Sequence, residues 1–80
     1  MEQIVIDCAA LKDAAALHKA LAEALEFPDW YGSNLDALYD CLTDLESLQL
    51  QLQNLGPWAE GFREVFRDVM EENPDIKITF

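Results

Sequence analysis

Leu48-Gln49-Leu50-Gln51-Leu52-Gln53 alternates apolar and polar residues without a break. A period of two puts the leucines on one face of an extended chain and the glutamines on the other, which predicts a β-strand with one wet face. Upstream, Ile4, Val5 and Ile6 form a β-branched run too short for a helix and without alternation. Such a run suits a strand covered on both faces, so it is predicted as the central strand. Downstream, Ile76 to Phe80 alternates again with Lys77 and Thr79 outward, and reads as a second peripheral strand.

Helical spacing fills the intervals. After Asp13, an N-cap, Ala14, Leu17, Leu21, Ala24 and Leu25 recur on one face until Phe27 and Pro28 stop the helix. Pro-Asp-Trp-Tyr-Gly, residues 28–32, combines turn formers with two aromatics. Ser33 or Asn34 then caps a second helix, with Leu35, Leu38, Leu42 and Leu45 inward and an end near Asp44 to Glu46. Gly56 and Pro57 open a third helix, with Trp58, Phe62, Val65, Phe66 and Val69 inward, and Asn73 with Pro74 closes it. Strands separated by helices run parallel with right-handed crossovers. The prediction is one domain over residues 1–80, of α/β class, with a three-stranded parallel sheet of order 2-1-3 and about three helices.

Eighty residues with 51% hydrophobic content can bury a core, which excludes a disordered acidic tail. Five Lys and Arg against sixteen Asp and Glu leave a net charge of −11, unfavourable for nucleic-acid phosphates or an anionic membrane. The basic residues are Lys12, Lys19, Arg63, Arg67 and Lys77, so residues 20 to 62 carry acids and no cation. A basic protein partner is favoured, although acidity also serves solubility. Cys8 and Cys41 show no CxxC spacing and, with one His, complete no usual zinc site, so both read as buried thiols of a cytoplasmic protein. No signal peptide or membrane span is expected, and no cofactor.

On a helical wheel the second helix sets its leucines on one side and Asp36, Tyr39, Asp40 and Thr43 on the other. Asp36 and Asp40 are one turn apart, as are Asp40 and Asp44, and like charges at that spacing repel. Local stability therefore gives no reason for the row. Trp30 and Tyr31 in the preceding loop add the aromatics that interface hot spots use, so this face reads as a binding surface. The third helix adds Asp68 and Glu72 at one-turn spacing, with Glu64 a turn earlier and Arg67 paired to Glu64 or Glu71. His18, one step off the first helix's stripe, reads as a partly exposed histidine rather than a general base, because no nucleophile lies beside it.

The string from Tyr31 to Thr43, YGSNLDALYDCLT, closely resembles the hallmark segment of barstar-like ribonuclease inhibitors. The likeness extends to Leu17 and His18, to Pro28, to Phe66 and Arg67, and to the final strand. It implies a barstar-like fold in which the second helix and its preceding loop plug the active site of a small basic, guanyl-preferring ribonuclease. One inhibitor would meet one nuclease and protect the cell that makes both. By the same resemblance Asp40 stands for the carboxylate placed in the phosphate site, Asp36 for its flanking acid, and Gly32 and Asn34 for loop contacts. Trp30 and Tyr39 stand at interface aromatics, Asp68 at a peripheral acidic contact and Glu72 at a second, while Thr43 and Asp44 join that face by helical spacing and not by the resemblance. This chain departs from the family pattern in the aromatic type at Trp30 and Tyr39, and in Asp44 and Leu45, which replace a glycine and an aromatic. Its segment before the last helix is shorter.

Three rival functions meet specific objections or stay open. An acyl carrier protein, with Ser33 as attachment point, is all-helical and carries Asp-Ser-Leu where this chain has Gly-Ser-Asn. A hydrolase using Asp36 and Asp40 lacks the burial that would raise either pKa. An acidic adaptor for some other basic protein fits the same residues and stays open.

Overall fold

The computed structural model describes residues 3–80. Its elements run β1 (Gln3–Asp7), α1 (Ala14–Leu25), α2 (Leu35–Thr43), β2 (Leu48–Gln53), α3 (Glu60–Glu72) and β3 (Ile76–Thr79), with single 3-10 turns at Cys8–Ala10 and Pro57–Ala59. All strand pairing is parallel, as predicted. The order is not: β2 lies in the middle, giving β1-β2-β3 rather than 2-1-3.

The register explains the correction. Ile4 pairs with Leu50 and Leu50 with Ile78, while Val5 pairs with Gln51 and Gln51 with Thr79. The first row faces the core and the second faces out, where Val5 is 50% exposed. Right-handed crossovers that step in one direction along a sheet leave every helix on the same face; a 2-1-3 order reverses direction and covers both faces. The wet sides of β2 and β3 thus belong with a 1-2-3 order. The apolar run Ile4-Val5-Ile6 is an edge strand with Val5 turned to solvent, not a strand buried on both sides.

The core lies between the leucine row of β2 and the helices, with Leu17, Leu21, Leu38, Leu42, Phe66 and Val69 fully buried. Each helix begins and ends for a local reason. The Asp13 carboxylate accepts from the Ala16 amide at 2.9 Å, and Glu26 closes α1 in the left-handed region at φ 55°. Gly56 and Pro57 lead through a 3-10 turn into α3, and Asn73 ends it.

Several side chains sit elsewhere than their spacing suggests. Ala14 and Ala24 are exposed and Leu25 is half-buried, so the buried stripe of α1 is Leu17, His18 and Leu21. His18 is therefore interior, 5% exposed, with Phe62 of α3 and Tyr31 of the following loop packed against it. Leu35, in the first turn of α2, is 36% exposed, and a Cβ at Gly61 of α3 would meet its Cδ1 at 2.9 Å. Arg67 pairs not with Glu64 or Glu71 but with Glu60 at 3.9 Å, and its guanidinium lies 5.6 Å from the centre of the Phe80 ring.

Candidate partner-binding site

The second helix is amphipathic in the sense its sequence predicts. Leu38, Cys41 and Leu42 are buried, Asp36 and Asp40 are exposed, and Tyr39 and Thr43 are half-buried at the boundary. The Asn34 side chain starts the helix by accepting from the Ala37 amide at 2.8 Å. Asp44 ends it, its amide donating to the Asp40 carbonyl at 3.1 Å while its carboxylate faces solvent. Asp36, Asp40 and Asp44 thus follow one another a turn apart along the outer side of a rigid rod.

Beside this row the loop presents Trp30, 68% exposed. An open groove of about 420 Å³ separates Trp30, Glu26 and Pro28 on one wall from Asp40, Thr43 and Asp44 on the other. On the far side of α2, Tyr39 meets Asp68, Glu71 and Glu72 of α3 around a shallower groove of about 310 Å³. The fold therefore brings the two predicted acidic groups onto adjoining surfaces with Tyr39 between them. Glu26 and Glu71 join the grooves without having been singled out. Glu71 was within reach of sequence reasoning, being three residues from Asp68; Glu26 was not, since its place depends on the left-handed end of α1.

Some predicted contacts are spent internally. The Thr43 hydroxyl donates to the Tyr39 carbonyl at 2.8 Å, leaving mainly its methyl group for a partner. Tyr31, unlike Trp30, turns inward, its hydroxyl 2.5 Å from His18 Nδ1 and its ring against Phe27. Gly32 is exposed, and a Cβ there would meet the Asn34 side chain at 3.0 Å, so a larger residue would press on the cap of α2. Losing that cap has a defined cost: Asn34→Ala is expected to destabilise the fold by about 1 kcal/mol. A thermal melt should show this as a Tm lower by roughly 4–8 °C.

Among the described residues the ion pairs are Arg63 with Glu60, 3.8 Å, and Arg67 with Glu60, 3.9 Å. Arg63 also donates to the Gly56 and Leu55 carbonyls, both at 3.0 Å. The acids of α2 make no ion pair there, nor do Asp68, Glu71 and Glu72. Burial holds the Cys8 thiol above its ordinary pKa, with Asp7 adding to the effect. Burial does the same at Cys41, followed by Asp40 and Asp44. Both cysteines are free, buried and kept protonated, which is the opposite of what a nucleophilic thiol requires. No helix among the described residues is long and apolar enough to cross a membrane.

Fold and surface together define a class: a small α/β protein of strong negative charge whose helical carboxylates face solvent beside an exposed aromatic, without an ion pair among the described residues. A family model described as Barstar (barnase inhibitor) matches residues 1–80. The chain is also 40% identical over 84 residues to a Bacillus subtilis (strain 168) protein named "Putative ribonuclease inhibitor YrdF", a match covering 94% of this chain and 92% of that one. The chain belongs to the barstar family.

Proposed function

We propose that this protein is a ribonuclease inhibitor and not an enzyme. In this reading α2 and residues 28–34 enter the active-site cleft of a small, basic, guanyl-preferring ribonuclease in a one-to-one complex. What carries the reading is the row Asp36, Asp40 and Asp44, exposed on the outer side of α2 and free of ion pairs among the described residues. A ribonuclease must hold cationic groups in its cleft to bind phosphate and stabilise developing charge. A rigid helix of carboxylates offers those cations oxygen acceptors and excludes RNA. Trp30 and Tyr39 supply aromatic contact on either side, with Gly32, Asn34 and Thr43 close to the same surface and Asp68 and Glu72 at its rim. Family membership and the printed name of the Bacillus relative support inhibition in general. The two free, buried thiols fit a reducing cytoplasm, where an inhibitor would guard against a nuclease made by the same cell.

The test is titration of the purified protein into barnase and a panel of related small ribonucleases, with RNA cleavage as readout. Loss of activity that is complete at one equivalent supports the reading; unchanged cleavage across the panel would sink it. The rim has its own signature. Because exposed charges steer approach more than they hold the complex, Asp68→Asn should slow association about two- to fivefold at low salt and leave dissociation unchanged. Stopped-flow measurement at several salt concentrations should show a shallower salt dependence of association for that variant.

A further inference from the structure

The loop that carries Trp30 is fastened from inside. Tyr31 leaves it between the exposed Trp30 and Gly32 and reaches His18 on α1, where the hydroxyl oxygen and Nδ1 lie 2.5 Å apart. His18 is the one buried polar side chain among the described residues. Its ring centre lies 4.7 Å from that of Phe62 on α3, and Tyr31 lies 4.9 Å from Phe27. The Tyr31 amide donates to the Pro28 carbonyl at 3.0 Å, closing the turn. Two residues on, Ser33 takes a left-handed φ of 53°, a conformation a non-glycine residue keeps only where its surroundings impose it. Asn34 follows and caps α2. One hydrogen bond therefore ties α1 to the point where the loop turns into the carboxylate helix.

We propose that His18 and Tyr31 are positioning residues for the binding face: while His18 is uncharged, their hydrogen bond holds residues 29–34 in the shape the partner meets. This rests on the ribonuclease-inhibitor reading and deepens it by making affinity depend on pH through a residue that touches no partner. A neutral imidazole suits the pocket, since either tautomer can bond the hydroxyl. An imidazolium could still donate to the Tyr31 oxygen, so the cost of protonation lies in placing a charge where Phe62 and the loop exclude water. The groups facing His18 offer no compensation: α3 presents the apolar Phe62, the loop presents Tyr31, and α2 presents Cys41 behind Tyr31. Burial alone holds the His18 pKa below its ordinary value of 6.5. Burial, then Cys41, pushes Tyr31 up to about 12, so Tyr31 stays a neutral hydroxyl across the range that matters.

The sign follows from which form binds more protons. The closed loop holds His18 neutral, whereas an opened, hydrated loop lets it titrate near 6.5. The closed form is thus fully favoured above that pH and loses ground as pH falls through it. Between pH 7 and pH 5 the opened population should rise by up to roughly twentyfold.

Amide hydrogen exchange on the free full-length chain, corrected for intrinsic rates, reads this directly. At pH 7 the Tyr31 amide should be less protected than that of Phe66 in α3, and in the parent it should lose up to about twentyfold protection between pH 7 and pH 5. His18→Gln, which cannot titrate, should change less than about twofold over that range. Tyr31→Phe, which keeps the ring, should lose about fivefold protection at pH 7. In a second arm, dissociation from barnase is compared between parent and His18→Gln at each pH, so that the nuclease's own titration cancels. The variant should release faster at pH 7 and lose that disadvantage by pH 5. Equal protection of Tyr31 and Phe66 at pH 7, a flat parent profile, or parallel profiles for parent and His18→Gln overturn the proposal. Failure of every form to bind barnase instead counts against the inhibitor reading, while the exchange measurements still decide the role of the pair.

Discussion

Asp40→Ala is expected to weaken binding to a cognate ribonuclease more than any other single change on the surface, by about 2–5 kcal/mol, while the free protein melts at the same temperature or slightly higher. The barnase–barstar pair is itself one of the systems in which such losses have been measured. The reason for the size is geometric. Asp40 occupies the middle of the α2 row and one wall of the groove beside Trp30, so a partner covering both would remove it fully from water. Its loss would leave the nuclease's cations buried without a counter-charge, which costs far more than the same loss at an exposed rim. The stability prediction has the opposite sign. Asp36 and Asp44 each lie one turn from Asp40, and removing the central charge relieves two repulsions of a few tenths of a kcal/mol apiece. Calorimetry on the complex and a thermal melt of the free variant read the two effects separately. Unchanged affinity would remove Asp40 from the site; a Tm lowered by many degrees would mean that its carboxylate serves the fold.

Elements were legible where one periodicity dominated. β2, the leucine side of α2 and the aromatic stripe of α3 each follow a single period, and the caps at Asp13 and Asn34 are local hydrogen bonds between near neighbours. Sheet order is a relation among strands, and three apolar residues in a row do not decide it, because they do not require two covered faces. Val5 shows that a short edge strand can turn one of them to solvent. The better signal lay in β2 and β3 together: two strands with a wet side imply helices on one face only, and so strands added in a single direction. At the site, exposure of Asp36 and Asp40 could be read from the helical wheel, because it depends on α2 alone. The interior position of His18 could not, since it is created by side chains distant in sequence, Tyr31 of the loop and Phe62 of α3. Tyr31 is concealed for the same reason: in a sequence it looks as available as Trp30, and only its hydrogen bond to His18 on α1 separates the two.

Phe66→Ala should have the largest effect on the fold, and its comparison with Asp40→Ala separates stability from recognition. Phe66 is wholly buried on α3, its ring centre 6.3 Å from Phe62 and 5.6 Å from Phe80. Truncating a buried phenylalanine to alanine costs about 3–5 kcal/mol, part in lost transfer and part in the cavity left behind. A chain of this length is stabilised by only about 4–12 kcal/mol in total. The variant should therefore melt at least about 12 °C lower and populate unfolded chain at ambient temperature. Its outward face is untouched, however, and a partner that binds only the folded form restores it by mass action, by about 2.7 kcal/mol at a hundredfold excess over Kd. Phe66→Ala should thus protect RNA poorly at low concentration and almost fully when inhibitor and nuclease are both concentrated, with the Tm rising in the mixture. Asp40→Ala should show the reverse, a normal melt with weak inhibition, so that one variant is rescued by the partner and the other is not. A Phe66→Ala protein melting within a few degrees of the parent would mean that α3 does not brace α2 through this ring, and the rigid presentation of the carboxylate row would need another support.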